Sequence, residues 1–132
     1  MSAQVNDLIL RVITRIPVPP GQITLYKALY ENPDGLSRAQ LADAIRNGDE
    51  KSLGGVLFAL ANRVNSTPGL DTMRPGLQVL IERDESREGV HYRLRQETRA
   101  AIDCLPKLLA EMAKPVSDIR QTVKDEKSWL KL

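Results

Sequence analysis

Apolar side chains recur along this chain at two spacings. Val5, Leu8, Ile9, Val12, Ile13 and Ile16 stand three or four apart, the period of one helix face. They predict an amphipathic helix over residues 3–16, ended by Pro17, Pro19, Pro20 and Gly21. Ile23, Leu25, Tyr26, Leu29 and Tyr30 predict a second helix over 21–31, closed by Asn32-Pro33-Asp34-Gly35. Leu41, Ala42 and Ile45 carry the inner face of a short helix over 38–46. Ser37 and Gln40 have capping-box spacing at its start, with Leu36 as the hydrophobic staple. After Asn47-Gly48, the residues Leu53, Val56, Leu57, Leu60 and Val64 stripe a longer helix over 52–66, with Ser52 as N-cap and Pro68-Gly69 as the stop.

The other face of that fourth helix carries Gly55, Phe58, Ala59, Asn62 and Ser66; it holds small and amide side chains and almost no charge. Phe58, at the edge of the stripe, is assigned to the core. Beyond Pro75-Gly76 the spacing changes. Residues 77–83 are rich in β-branched side chains and predict a strand. A polar turn over 84–89 follows, and then Val90, Tyr92 and Leu94 alternate inward while His91, Arg93 and Arg95 alternate outward. The result is a β-hairpin with a charged tip. Helical spacing returns from Gln96 through Ile102, Leu105, Leu108, Leu109 and Met112, with Pro106 expected to kink or restart the helix near Asp103 or Cys104. Ser117 is placed as the cap of a last helix carrying Val116, Ile119, Val123 and Leu130 on one side.

Composition narrows the function classes. The chain of 132 residues is 42% apolar, enough for a core, and only 4% aromatic, so that core is aliphatic. Nineteen Lys and Arg face seventeen Asp and Glu. Over residues 34–66 four basic side chains meet four acidic ones, and over 67–100 six meet six. A phosphate-binding surface would therefore have to come from segregation in space. Cys104 is the only cysteine, which excludes an internal disulfide and a cysteine-based metal site, and its apolar helical surroundings predict a buried, inert thiol. His91 is the only histidine and faces outward. No catalytic residue, metal or cofactor is expected. No apolar run reaches ~18 residues. The apolar residues near the start are periodic and interrupted by Asp7, Arg11 and Arg15, unlike a signal peptide. The expectation is a cytoplasmic protein without membrane contact.

Helix, helix, capped helix, hairpin, helix is the element order of the winged helix-turn-helix domain, and residues 21–100 resemble it. Residues 54–69, Gly-Gly-Val-Leu-Phe-Ala-Leu-Ala-Asn-Arg-Val-Asn-Ser-Thr-Pro-Gly, are also similar to a motif that recurs in bacteria near nucleic-acid-handling proteins. The expected class is mainly α with a small β-hairpin (α+β). It has an N-terminal helix and linker (1–20), the winged helix-turn-helix unit (21–100) and a C-terminal helical extension (101–132). The resemblance implies a transcription regulator bound to double-stranded DNA, with residues 52–66 in the major groove and the hairpin as wing.

Ser37, Arg38, Lys51 and Ser52 would meet phosphates at helix starts. Gly54 and Gly55 would let backbone approach, or else serve close packing inside the fold. Asn62 would read a base, flanked by Arg63. Arg83, Arg87, Arg93 and Arg95 of the wing would contact the backbone. A homodimer through the terminal helices would place two recognition helices ~34 Å apart. Leu8, Ile9, Val12, Ile13, Leu108, Met112, Ile119, Val123 and Trp129 are its candidate interface, the alternative for the first helix being packing on its own domain. The competing reading of the whole chain is a winged-helix adaptor that binds protein and no DNA. A joined positive face would favour DNA, whereas mixed charge with an exposed Phe58 would favour protein.

Overall fold

The computed structural model describes residues 2–15, 18–46, 50–86 and 89–119. The elements are α1 (Ser2–Thr14), α2 (Pro20–Tyr30), β1 (Leu36–Ser37), α3 (Arg38–Arg46), α4 (Glu50–Asn65), β2 (Ile81–Ser86), β3 (Gly89–Leu94), α5 (Gln96–Asp103) and α6 (Pro106–Met112). Single 3-10 turns lie at Gly76–Val79 and Val116–Asp118. The chain is a mainly helical α+β protein.

Local chemistry accounts for most element boundaries. Pro20 opens α2, where its fixed φ suits the first turn. The capping box before α3 is formed in both directions: the Gln40 amide donates to Ser37 Oγ (3.1 Å), and the Ser37 amide donates to Gln40 Oε1 (2.9 Å). Pro106 restarts the helix, so α5 ends at Asp103 and α6 begins at Pro106. The sheet is antiparallel with strand order β1-β3-β2. Leu36 faces Tyr92 across β1–β3, while Ile81 faces Leu94 and Arg83 faces Tyr92 across β2–β3. Gly35 precedes β1 at φ +94, and a Cβ there would stand 2.8 Å from the Tyr92 carbonyl oxygen, so the turn requires glycine.

One aliphatic cluster gathers side chains from α1 through Ile119. Ile9, Val12 and Ile13 of α1 are at most 1% exposed within it. Leu108, Met112 and Ile119 are buried in it as well, and Leu8 packs against it half-buried. This corrects the expected dimer seam at Ile9, Val12, Ile13, Leu108, Met112 and Ile119, whose side chains are spent on the chain's own core, whereas Leu8 keeps part of its surface. Val123 and Trp129 lie outside the described residues.

Basic side chains hold three helix C-termini, where the last carbonyls lack helical donors. Arg63 of α4 donates from Nη1 to the carbonyls of Val12 (2.9 Å) and Ile13 (3.2 Å) at the end of α1, and from Nε to Gln22 Oε1 (3.0 Å). Arg99 of α5 donates to the carbonyls of Leu29 (3.0 Å) and Tyr30 (2.7 Å) at the end of α2, and its guanidinium lies 4.9 Å from the centre of the Tyr30 ring. Lys27 Nζ donates to the Met112 carbonyl at the end of α6 (2.8 Å). Part of the basic complement is thus used to assemble the helices.

Several boundaries differ from the sequence reading. Helix α4 begins at Glu50, so Ser52 lies in its first turn and is not the N-cap. Residues Leu77 and Val79 form a 3-10 turn behind Gly76, whose φ is +78, and the strand starts only at Ile81. Strand β1, two residues long, is an addition to the predicted hairpin. Cys104 caps the exposed end of α5 and is exposed, not buried.

Candidate interaction face on the fourth helix

The inner side of α4 buries Leu53, Leu57, Leu60 and Val64. Its outer side leaves Gly55, Phe58, Ala59, Asn62 and Ser66 exposed, with Phe58 68% accessible. The assignment of Phe58 to the core is therefore wrong. On the helical wheel Phe58 lies ~100° on from Leu57, outside the buried stripe, and no described element covers that edge. Arg63 departs in the opposite sense: it is 4% exposed and bound to α1 and Gln22, so it cannot flank Asn62 as a groove contact. Burial pulls its pKa below the usual guanidinium range, yet arginine stays charged at any physiological pH.

The two glycines of α4 separate in role. A Cβ on Gly54 would meet Arg38 Nη2 at an ordinary 3.7 Å, whereas a Cβ on Gly55 would meet nothing within 4 Å. Close packing within the chain accounts for neither. Beside Gly55 runs a shallow groove of about 260 Å³ between α4 and the start of α2, lined by Pro19, Gly21, Ser52, Val56 and Ala59 among others. Arg38, half-buried at the start of α3, donates from Nη1 to the Tyr92 hydroxyl (2.9 Å). Ser37 is committed to the capping box.

On the hairpin the basic side chains are matched by acidic neighbours. Arg93 reaches Glu82 Oε1 at 2.7 Å, Arg95 stands 3.5 Å from Glu82 Oε2, and Arg83 lies 2.7 Å from Glu85. The Glu82 hydrogen bond is the main reason the Arg93 pKa lies above its ordinary value. The alternation of Arg93 and Arg95 on one face predicted where they emerge. Glu82, their shared partner, is opposite Arg93 in the ladder, and knowing that required the register. Arg87 and the Lys51 side chain lie outside the described residues.

Among the described residues no group of three His, Cys, Asp or Glu could hold a metal ion, and no helix is long and apolar enough to cross a membrane. The described fold and face define a mainly helical α+β protein with a three-stranded antiparallel sheet. Compared with family models, curated proteins and solved structures, the chain gives no significant match.

Proposed function

We propose that this chain is a winged-helix adaptor that docks a protein partner on the outer face of α4. The order α2, β1, α3, α4, β2, β3 with sheet order β1-β3-β2 supports the winged-helix assignment. The observation that carries the function is the 68% exposure of Phe58 on a helix face whose described side chains carry no charge. Burying such a side chain against a partner is worth roughly 1.5–3 kcal/mol. Aromatic anchors ringed by small neutral neighbours are what protein interfaces use at their centres. Gly55 supports the same reading. Glycine inside a helix costs roughly 1 kcal/mol relative to alanine, and the open space above it admits a partner's backbone.

A second reading, duplex DNA, is favoured by the exposure of Asn62 on that face and by Arg38 at the start of α3. It ranks below the first because Arg63 is inside the core and because Arg83, Arg93 and Arg95 already face carboxylates. A phosphate-binding wing would have to break those pairs.

The test is a photo-crosslinking residue placed at Phe58 and, as a control, at exposed Ala110. The adaptor reading predicts a protein product from position 58 alone, lost when Gly55→Glu fills the neighbouring space without lowering the melting temperature. Equal products from both positions, or a product indifferent to Gly55→Glu, would overturn it.

A further inference from the structure

A cavity of about 590 Å³ lies between the outer face of the hairpin and the first turn of α5, and no residue of α4 lines it. It is bounded by Glu82, Arg93, Arg95, Glu97 and Arg99, with Pro33 at its edge. That volume suits a small metabolite. Three guanidinia in one concavity are the usual equipment for recognising phosphoryl groups, since each offers a planar fork of N–H donors.

The way those arginines are held matters. Glu82 serves two of them at once. Its Oε1 takes both Nε (3.0 Å) and Nη2 (2.7 Å) of Arg93, and its Oε2 is 3.5 Å from Arg95 Nη1. The second contact is at the outer limit of a hydrogen bond. One carboxylate shared by two guanidinia gives each less than a full countercharge, and Arg95 Nε donates besides to the Gln78 carbonyl oxygen. Glu97 shares the cavity, and Asp34 and Asp84 act on Arg93 from outside its lining. Arg99 is anchored through Nη2 to the end of α2, which fixes its fork at the wall. No side chain caps the first turn of α5, beside the cavity.

We infer that this cavity binds a small ligand through a phosphoryl dianion, which replaces Glu82 as the shared partner of Arg93 and Arg95. A dianion gives each guanidinium a charged acceptor where Glu82 has one charge for both. The ligand and Glu82 therefore compete, and the two kinds of substitution have opposite signs.

The experiment is calorimetric titration of the full chain with inorganic pyrophosphate at fixed ionic strength, with a duplex DNA oligonucleotide in parallel. Saturable binding of pyrophosphate is expected, about tenfold tighter in Glu82→Gln and about tenfold weaker in Arg95→Gln. The gain in Glu82→Gln is the decisive readout, because damage to the fold would not improve affinity. Absence of saturable binding in both the natural chain and Glu82→Gln would overturn the inference. So would an affinity that Glu82→Gln leaves unchanged. Response of DNA but not pyrophosphate to the two variants would assign the arginines to a nucleic-acid backbone and overturn it as well.

Discussion

Phe58 and Arg63 lie five positions apart on one helix, and each occupies the place expected of the other. The aromatic ring is 68% exposed and the guanidinium 4%. The difference shows what each side chain found as a partner. Arg63 reaches the end of α1, where two carbonyls without helical donors and the negative end of the helix dipole receive it. Its burial is explained inside the chain. Phe58 meets no such element among the described residues, and none of them explains it. The fold needs the first residue and leaves the second available for something else.

The largest effect separating them should come from Arg63→Ala. It strands the carbonyls of Val12 and Ile13 and the Gln22 side chain, and it loosens α1. We expect a loss of about 3 kcal/mol in urea unfolding. A loss below about 1 kcal/mol would show that α1 is held by its apolar face alone. Arg63→Lys should fall between, because one ammonium cannot reproduce a fork that serves both Gln22 and the carbonyls.

Tyr26, fully buried beside Arg63, gives a pH-dependent version of the same contrast. Burial raises its pKa well above the usual phenol value, against a smaller opposing pull from Arg63. A folded-state pKa above the unfolded one contributes stability in full below the unfolded value, near ~10, and that stability is lost as pH rises above it toward the folded value. Stability of the natural chain should therefore fall above pH ~10 by up to about 1.4 kcal/mol per pH unit from this group. Tyr26→Phe should remove that part of the slope. At neutral pH the same substitution should cost under about 1 kcal/mol, since the hydroxyl has no hydrogen-bond partner among the described residues. Identical alkaline slopes for the two proteins would contradict the assignment.

On the outer face the effects should be small or favourable. Gly55→Ala should stabilise by about 0.5–1 kcal/mol, because its Cβ enters open space and the helix gains propensity. Destabilisation would mean that glycine is needed by the fold and not by a partner. Phe58→Ser should change stability by less than about 0.5 kcal/mol while abolishing partner capture; a clear loss of stability would place the ring in the core after all.

Much of the fold was legible because its signals were local. Ser37 and Gln40 announced a capping box, and α3 runs over Arg38–Arg46 as the spacing predicts. The alternation of Val90, Tyr92 and Leu94 located β3. The illegible parts depend on partners distant in sequence. Strand β1 exists only because Leu36 and Ser37 pair with Tyr92 and His91. Leu77 and Val79 carry strand-like side chains, but Gly76 turns the backbone first. Arg63 sits at the rim of α4's apolar stripe, where the wheel allows either direction, and the end of α1 decides it. Arg83 and Arg93 lie on the hairpin strands as the pattern predicts, whereas Arg95 stands just beyond β3, before α5, and only the register shows that Glu82 is opposite Arg93. Cys104 lies among apolar residues in the sequence, yet α5 ends at Asp103 and leaves it exposed.

The most direct test of the central claim, that α4 presents a protein-docking face and not a DNA-reading one, is fluorescence anisotropy of random-sequence duplex DNA against the full chain across a salt series. The account predicts no steep salt dependence and no change on Arg93→Ala, because the hairpin arginines face Glu82 and Glu85, which a singly charged backbone phosphate does not displace. Tight binding whose logarithm falls steeply with the logarithm of salt, with a slope reduced by about one unit in Arg93→Ala, would contradict it and return α4 to the major groove.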